Sequence, residues 1–267
     1  MQDNVIFALG LTVFAGLSTG IGSAIAFFAK RTDTKFLSLS LGFSAGVMIY
    51  VSMIEIFAKA RDSLSLIYGY KSGYLLTVIS FFLGILLIAI IDKMIPSFEN
   101  PHEMHKVEEM NKPVNYDELK RMGLVSALAI GIHNFPEGFA TFTSALGDPK
   151  LGISIAVAIA IHNIPEGIAV SVPLFYATGS RKKAFFWSFV SGLSEPLGAL
   201  IGFILLSSFI NLDRYFGIPF AMVAGIMVFI SFDELLPAAE KYGHHHLTIY
   251  GLLAGMLVMA LSLLMFA

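Results

Sequence analysis

Two hexapeptides carry the residues best equipped for chemistry: His133-Asn134-Phe135-Pro136-Glu137-Gly138 and His162-Asn163-Ile164-Pro165-Glu166-Gly167. They differ only at one apolar position, Phe135 against Ile164. In each, His and Glu stand at i and i+4, so on a helix both side chains leave from one face. A neutral imidazole beside a carboxylate suits a divalent transition metal. Two such helices facing each other would bring two His and two Glu to one spot. Asn134 and Asn163 sit one residue further, turned about 100° around the helix. A further acid, Glu195, lies within Gly192-Leu193-Ser194-Glu195-Pro196-Leu197-Gly198. The expected arrangement is a primary site of His133, Glu137, His162 and Glu166. A second, oxygen-rich site would use Asn134, Asn163 and Glu195 and share the two Glu of the first. Nitrogen and oxygen ligands together fit Zn²⁺, Fe²⁺, Mn²⁺ or Co²⁺, and the lack of thiolates argues against Cu⁺.

The elements that must position these groups are membrane helices. The chain is 56% hydrophobic and 13% charged, with a mean hydropathy of +0.78, whereas soluble domains carry roughly 25% charge. Apolar stretches of about 20 residues mark spanning helices. Eight are read, at about 4–28, 36–58, 73–92, 123–146, 151–177, 184–211, 217–238 and 247–266. The fold class is all-α integral membrane, one transmembrane domain over 1–267, with a longer polar loop at 93–122. The stretch 4–28 lacks a basic n-region and a small-residue cleavage site, so it reads as a retained helix rather than a signal peptide. With the N-terminus outside, inner segments hold 12 Lys and Arg and outer segments 5. That bias puts both termini away from the cytoplasm and loop 93–122 inside it, in the cell (inner) membrane. The chain has no Cys, so disulfides are excluded. A net charge of −2 without a basic patch gives no sign of a nucleic-acid partner.

The chain repeats itself. Gly16-Leu17-Ser18 in the first span, with Gly22 after three more residues, recurs in the sixth as Gly192-Leu193-Ser194 with Gly198. Ala45-Gly46 with Met48, Ser52 and Glu55 in the second span matches Ala224-Gly225 with Met227, Ser231 and Glu234 in the seventh. The fourth span resembles the fifth. Because the first span runs inward and the sixth outward, the pattern is a 3+2+3 inverted repeat, a signature of secondary transporters with a midplane site. Depth agrees. At about 1.5 Å per residue, His133, His162 and Glu195 lie roughly 15 Å into their spans, halfway through a core about 30 Å thick.

Carboxylates in hydrocarbon are costly and mark functional sites by default. Glu137, Glu166 and Glu195 together would repel one another unless a cation or protons relieved them. Pro136, Pro165 and Pro196 each remove an i→i−4 hydrogen bond, freeing the carbonyls of Ile132, Ile161 and Gly192 beside the acids. Glu55 falls near the outer end of the second span, and Asp233 and Glu234 near the inner end of the seventh. They are read as two mouths of one pathway, or as simply solvated. Met48, Met53 and Met227 read as packing ahead of soft ligands. His102, Glu103 and His105 could capture metal in the polar loop, and His244-His245-His246 could do so at the inner mouth or form a hydrated turn. An enzyme fits poorly. His-Asn-x-Pro-Glu is not the His-Glu-x-x-His pattern of zinc proteases, and a carboxylate-rich di-iron site would show Glu-x-x-His.

At these residues the chain resembles the ZIP family of divalent-metal transporters, and its ZupT-like bacterial zinc-permease branch most. The His-Asn-x-Pro-Glu-Gly motifs and the Gly-Leu-Ser-Glu-Pro-Leu-Gly segment carry the resemblance, which covers nearly the whole chain. It implies a binuclear site with His133, Glu137, His162 and Glu166 in the first position and Asn134, Asn163 and Glu195 in the second. Some members have Gln and Asp where this chain has His162 and Asn163. The resemblance also implies import of metal, zinc first with iron, manganese, cobalt and cadmium as alternatives. A homodimer, elevator-like alternating access, and neither a cofactor nor enzymatic activity are implied as well.

Overall fold

In hydrocarbon every backbone N–H and C=O must find its partner within the protein, and a continuous apolar segment can do so alone only as a helix. The computed structural model of the chain describes residues 2–28, 33–94, 131, 134–147, 149–209 and 217–266. Among the described residues there is no strand. In chain order the helices are α1 (Gln2–Phe28), α2 (Thr34–Tyr68), α3 (Tyr70–Met94), α4 (134–147), α5 (Pro149–Thr178), α6 (Arg181–Gly192 and Ser194–Phe209), α7 (Gly217–Lys241) and α8 (His245–Phe266). Among the described residues, seven helices are long and apolar enough to cross a membrane. The turns after α2, α5 and α7 contain Gly69, Gly179 and Gly243 at φ of 78°, 60° and 84°. Side chains rarely adopt that backbone conformation, and glycine does so without a Cβ penalty. Asp33 caps α2, accepting from the Phe36 N–H at 3.0 Å.

Three elements differ from the sequence reading. Hydropathy places the second span at 36–58, but α2 continues to Tyr68. Phe57–Tyr68 keeps a helical pattern, burying Ala60 and Leu64 while exposing Asp62. At 35 residues, α2 is roughly 52 Å long by a rise of about 1.5 Å per residue, well beyond an apolar layer of about 30 Å. Glu55 therefore lies inside a helix and not near its end. Next, α2 and α7 each contain a π-helical turn, at Val51–Ile56 and Ser231–Leu235. Glu55, Asp233 and Glu234 sit in these wider turns, which often accompany functional sites. Finally, the span read as unbroken at 184–211 is two helices meeting at Leu193. The break stands just ahead of Pro196, whose missing N–H is tolerated in the first turn of a helix. Pro165 causes no such break, and α5 runs through it without interruption. Of the span expected at 123–146, residues 123–130, 132 and 133 fall outside the described residues, as does loop 93–122 beyond Met94.

The packing separates a polar centre from a dry surround. Leu41, Met48, Val51, Ile155, Ile159, Phe220, Met227 and Ile230 are nearly inaccessible and join α2, α5 and α7 into one core. Met48 and Met227 thus pack, as the sequence predicts, whereas Met53 is exposed. On α3 and α8, Leu75, Phe82, Leu86, Leu253, Leu257 and Leu264 face outward, the disposition of helices that meet lipid.

Candidate metal centre

The site is built where α4 and α5 turn back on each other. They are separated in sequence only by residue 148, with Pro149 opening α5, a position where its missing N–H costs nothing. The helices run antiparallel, and Gly152 lies against Ala145 so closely that a Cβ there would overlap it. Deeper in, His162 Nε2 is 3.1 Å from Glu137 Oε1, a link between helices. Glu166, one turn beyond His162, completes a group of three. Glu137, His162 and Glu166 each offer a ligand atom, and these atoms all lie within 4.8 Å of one another. None of the three is exposed by more than 6%. His133, the fourth ligand expected, lies outside the described residues.

Asn134, Asn163 and Glu195 are all fully buried. Glu195 comes from the first turn of the second half of α6 and is within electrostatic reach of Glu137 and Glu166. Asn163 Nδ2 donates to Glu195 Oε1 at 2.5 Å and to the Ala15 carbonyl of α1 at 2.9 Å. Among the described residues, neither amide atom of Asn134 has a hydrogen-bond partner, and the same holds for His162 Nδ1, Asn163 Oδ1 and Glu195 Oε2. Buried polar atoms usually have a partner, and each one without needs an explanation, a bound ion or water among them. Imidazole nitrogen with carboxylate and amide oxygen is the donor set of a borderline or hard divalent cation.

Two contributors escape a reading of the sequence. The first is the closing glycine of each hexapeptide. A Cβ on Gly138 would overlap the backbone carbonyl of Glu195, and one on Gly167 would overlap that of Thr19. Bare glycine lets helix backbones touch, as small residues do throughout membrane bundles. It brings α6 onto α4 and α1 onto α5 beside the acids. The recurrence of glycine at the end of both hexapeptides was the available signal. The second is α1 itself, which supplies no side chain to the expected sites and yet contributes the Ala15 carbonyl. A backbone atom leaves no mark in the residue alphabet.

Other candidates separate from this centre. Glu55 pairs with Lys59 at 3.4 Å. Asp233 is exposed and Glu234 buried. The three consecutive histidines form no common ligand group among the described residues: His244 meets Thr34 at 3.1 Å, His245 meets Glu240 at 2.8 Å, and His246, edge to face with His245, stacks on Tyr250. His102, Glu103 and His105 lie outside the described residues.

The family model described as ZIP Zinc transporter matches residues 96–263, a range that holds both hexapeptides and Glu195. The chain belongs to the ZIP family. Similar relatives in this family align end to end. A protein of Lysinibacillus sphaericus named zinc transporter ZupT is 65% identical, covering 99% of both chains. Proteins of the same name from Oceanobacillus iheyensis and Streptococcus mutans are 63% and 64% identical over the full length of both chains. The ZIP assignment and the apolar helices together make this a multi-pass, all-helical membrane protein.

Proposed function

We propose that this ZIP chain carries zinc across the membrane into the cytoplasm, binding it at mid-depth between α4 and α5. The observation that carries the proposal is the buried meeting of Glu137, His162 and Glu166 within 4.8 Å. Two carboxylates held that close in hydrocarbon need a cation or a proton to relieve them, and the imidazole beside them favours a transition cation over Na⁺ or Mg²⁺. His133 would complete the first site, and Asn134, Asn163 and Glu195 a second one sharing Glu137 and Glu166. The zinc transporter names of relatives above 60% identity favour zinc as cargo, and carriage over catalysis. Iron, manganese, cobalt and cadmium share the ligand chemistry and are expected as weaker cargo.

Alternating access through a 3+2+3 inverted repeat is part of the proposal, and the packing supports it. Gly46 of α2 abuts the Leu252 carbonyl of α8, and Gly225 of α7, its counterpart in the repeat, abuts the Phe81 carbonyl of α3. Gly22 of α1 abuts the Ile164 carbonyl of α5, and its counterpart Gly198 of α6 abuts the Phe135 carbonyl of α4. Each contact has a mate where the repeat places one, and the two π-helical turns correspond in the same way. The Lys and Arg bias favours outward termini, and inward delivery is what the ZIP resemblance implies. A homodimer in the inner membrane is the expected assembly.

The test is zinc uptake by the purified chain in liposomes that enclose a zinc-sensitive dye. Wild type is expected to give saturable uptake. His162→Ala and Glu166→Ala are expected to abolish it while eluting as intact protein. Wild-type uptake in either variant would refute the site, and a wild type that moves no zinc would refute the cargo.

A further inference from the structure

We propose that Asn163 has a second task, as a positioning residue. Held by the Ala15 carbonyl of α1, its amide nitrogen caps one oxygen of Glu195, leaving the amide oxygen and a single Glu195 oxygen for the cation. This rests on the site described under the proposed function and adds a part for α1.

An amide nitrogen has two hydrogens, and both are committed. Asn163 Nδ2 lies 2.9 Å from Ala15 O and 2.5 Å from Glu195 Oε1. Turned over, the amide would set its oxygen against a carbonyl and a carboxylate with no hydrogen between them. Asn163, Glu195 and Ala15 are all fully buried, so bulk solvent does not reach that mismatch. The orientation is therefore decided by its two acceptors. Ala15 O also receives Ser18 Oγ at 2.5 Å, and α1 crosses α6 at Gly16, where a Cβ would overlap the Gly192 carbonyl. The carbonyl is thus fixed in place relative to the helix that bears Glu195. Asn163 Oδ1 and Glu195 Oε2 are the atoms left without partners among the described residues. Asn134, at the matching place on α4, shows the contrast, since neither of its amide atoms is held by a described residue. An aspartate at 163 would offer the same ligand oxygen with no hydrogen to give, and would bring another negative charge to Glu137, Glu166 and Glu195.

The test compares wild type, N163D and N163D/E195Q in zinc-uptake liposomes, with kcat and KM measured per folded protein. If position 163 only supplied an oxygen, N163D would transport as wild type does. The proposal expects kcat to fall at least tenfold in N163D while KM does not rise. N163D/E195Q returns a donor to the pair and restores the wild-type charge, and its kcat should recover at least threefold over N163D. Wild-type kcat in N163D, or no recovery in the double variant, would overturn the proposal. A wild type that moves no zinc would instead defeat the transport reading, so the two failures are distinct.

Discussion

Replacing Gly167 by Ala tests whether backbone contact between α1 and α5 sets the candidate metal centre. The added Cβ would overlap the Thr19 carbonyl oxygen, with the carbonyl carbon at 3.0 Å and the Ser23 nitrogen at 3.1 Å. All three are backbone atoms, so no rotamer change relieves the clash. An ordinary carbon–oxygen approach is roughly 3.3 Å, and reaching it parts the helices by about 1 Å. Asn163 and Ala15 lie one turn away on the same two helices, and their hydrogen bond is 2.9 Å. Stretching it by that amount takes it well past the usual limit of about 3.2 Å. The strain costs about 1–3 kcal/mol and the lost bond about 1 kcal/mol. For transport the displacement matters more, since misplacing reactive groups by about 1 Å can cost about 100-fold. Gly167→Ala should therefore lower the melting temperature and reduce zinc uptake by at least tenfold, measured on the same liposome preparation. Gly10→Ala is the control. Nothing lies within 4 Å of its added Cβ, so it should be neutral or stabilise α1 by up to about 1 kcal/mol. Uptake in Gly167→Ala within twofold of wild type would refute the claim that this contact positions the site.

Other outcomes are expected from the same geometry. Glu195→Ala removes an oxygen donor at the edge of the Glu137, His162 and Glu166 group, so the order of preference among zinc, cadmium and manganese should change more than zinc binding is lost; an unchanged order would argue against a second site. Met227→Ala opens a cavity at a fully buried position and should cost about 2–5 kcal/mol without altering metal preference; a changed preference would mean that the thioether binds cargo. Tyr242, in the turn between α7 and α8, has its phenol pushed up to about 12 by burial. Because the folded value exceeds the ordinary value of about 10, its stabilisation is complete below pH 10 and is lost as pH rises toward 12. Melting temperatures across that window should fall less steeply in Tyr242→Phe; identical slopes would show that the phenol is not responsible.

How much of this was legible before folding depends on the range of each interaction. Hydropathy and the i, i+4 spacing of His and Glu are local, so helical spans and the face of α5 that carries His162 and Glu166 could be read directly. The extension of α2 to Tyr68 was also local, written in the buried Ala60 and Leu64, but its charged residues hid it from a search for apolar runs. The partner of Glu55, Lys59 one turn on, stood in the sequence as a plain i, i+4 pair. The break in α6 had its sign in Glu195-Pro196, although Pro165 in α5 shows that a proline alone does not dictate a break.

By itself, then, the sequence determined that this is a helical membrane protein with two duplicated His and Glu motifs, because lipid forces backbone groups to pair within each span and side-chain direction follows helical period. Only the tertiary structure decided that Glu137 faces His162 across two helices, that Gly138 and Gly167 admit neighbouring backbones, and that the Ala15 carbonyl holds the Asn163 amide. Those outcomes depend on which helices lie together, and on a carbonyl oxygen that every residue carries and no residue letter distinguishes.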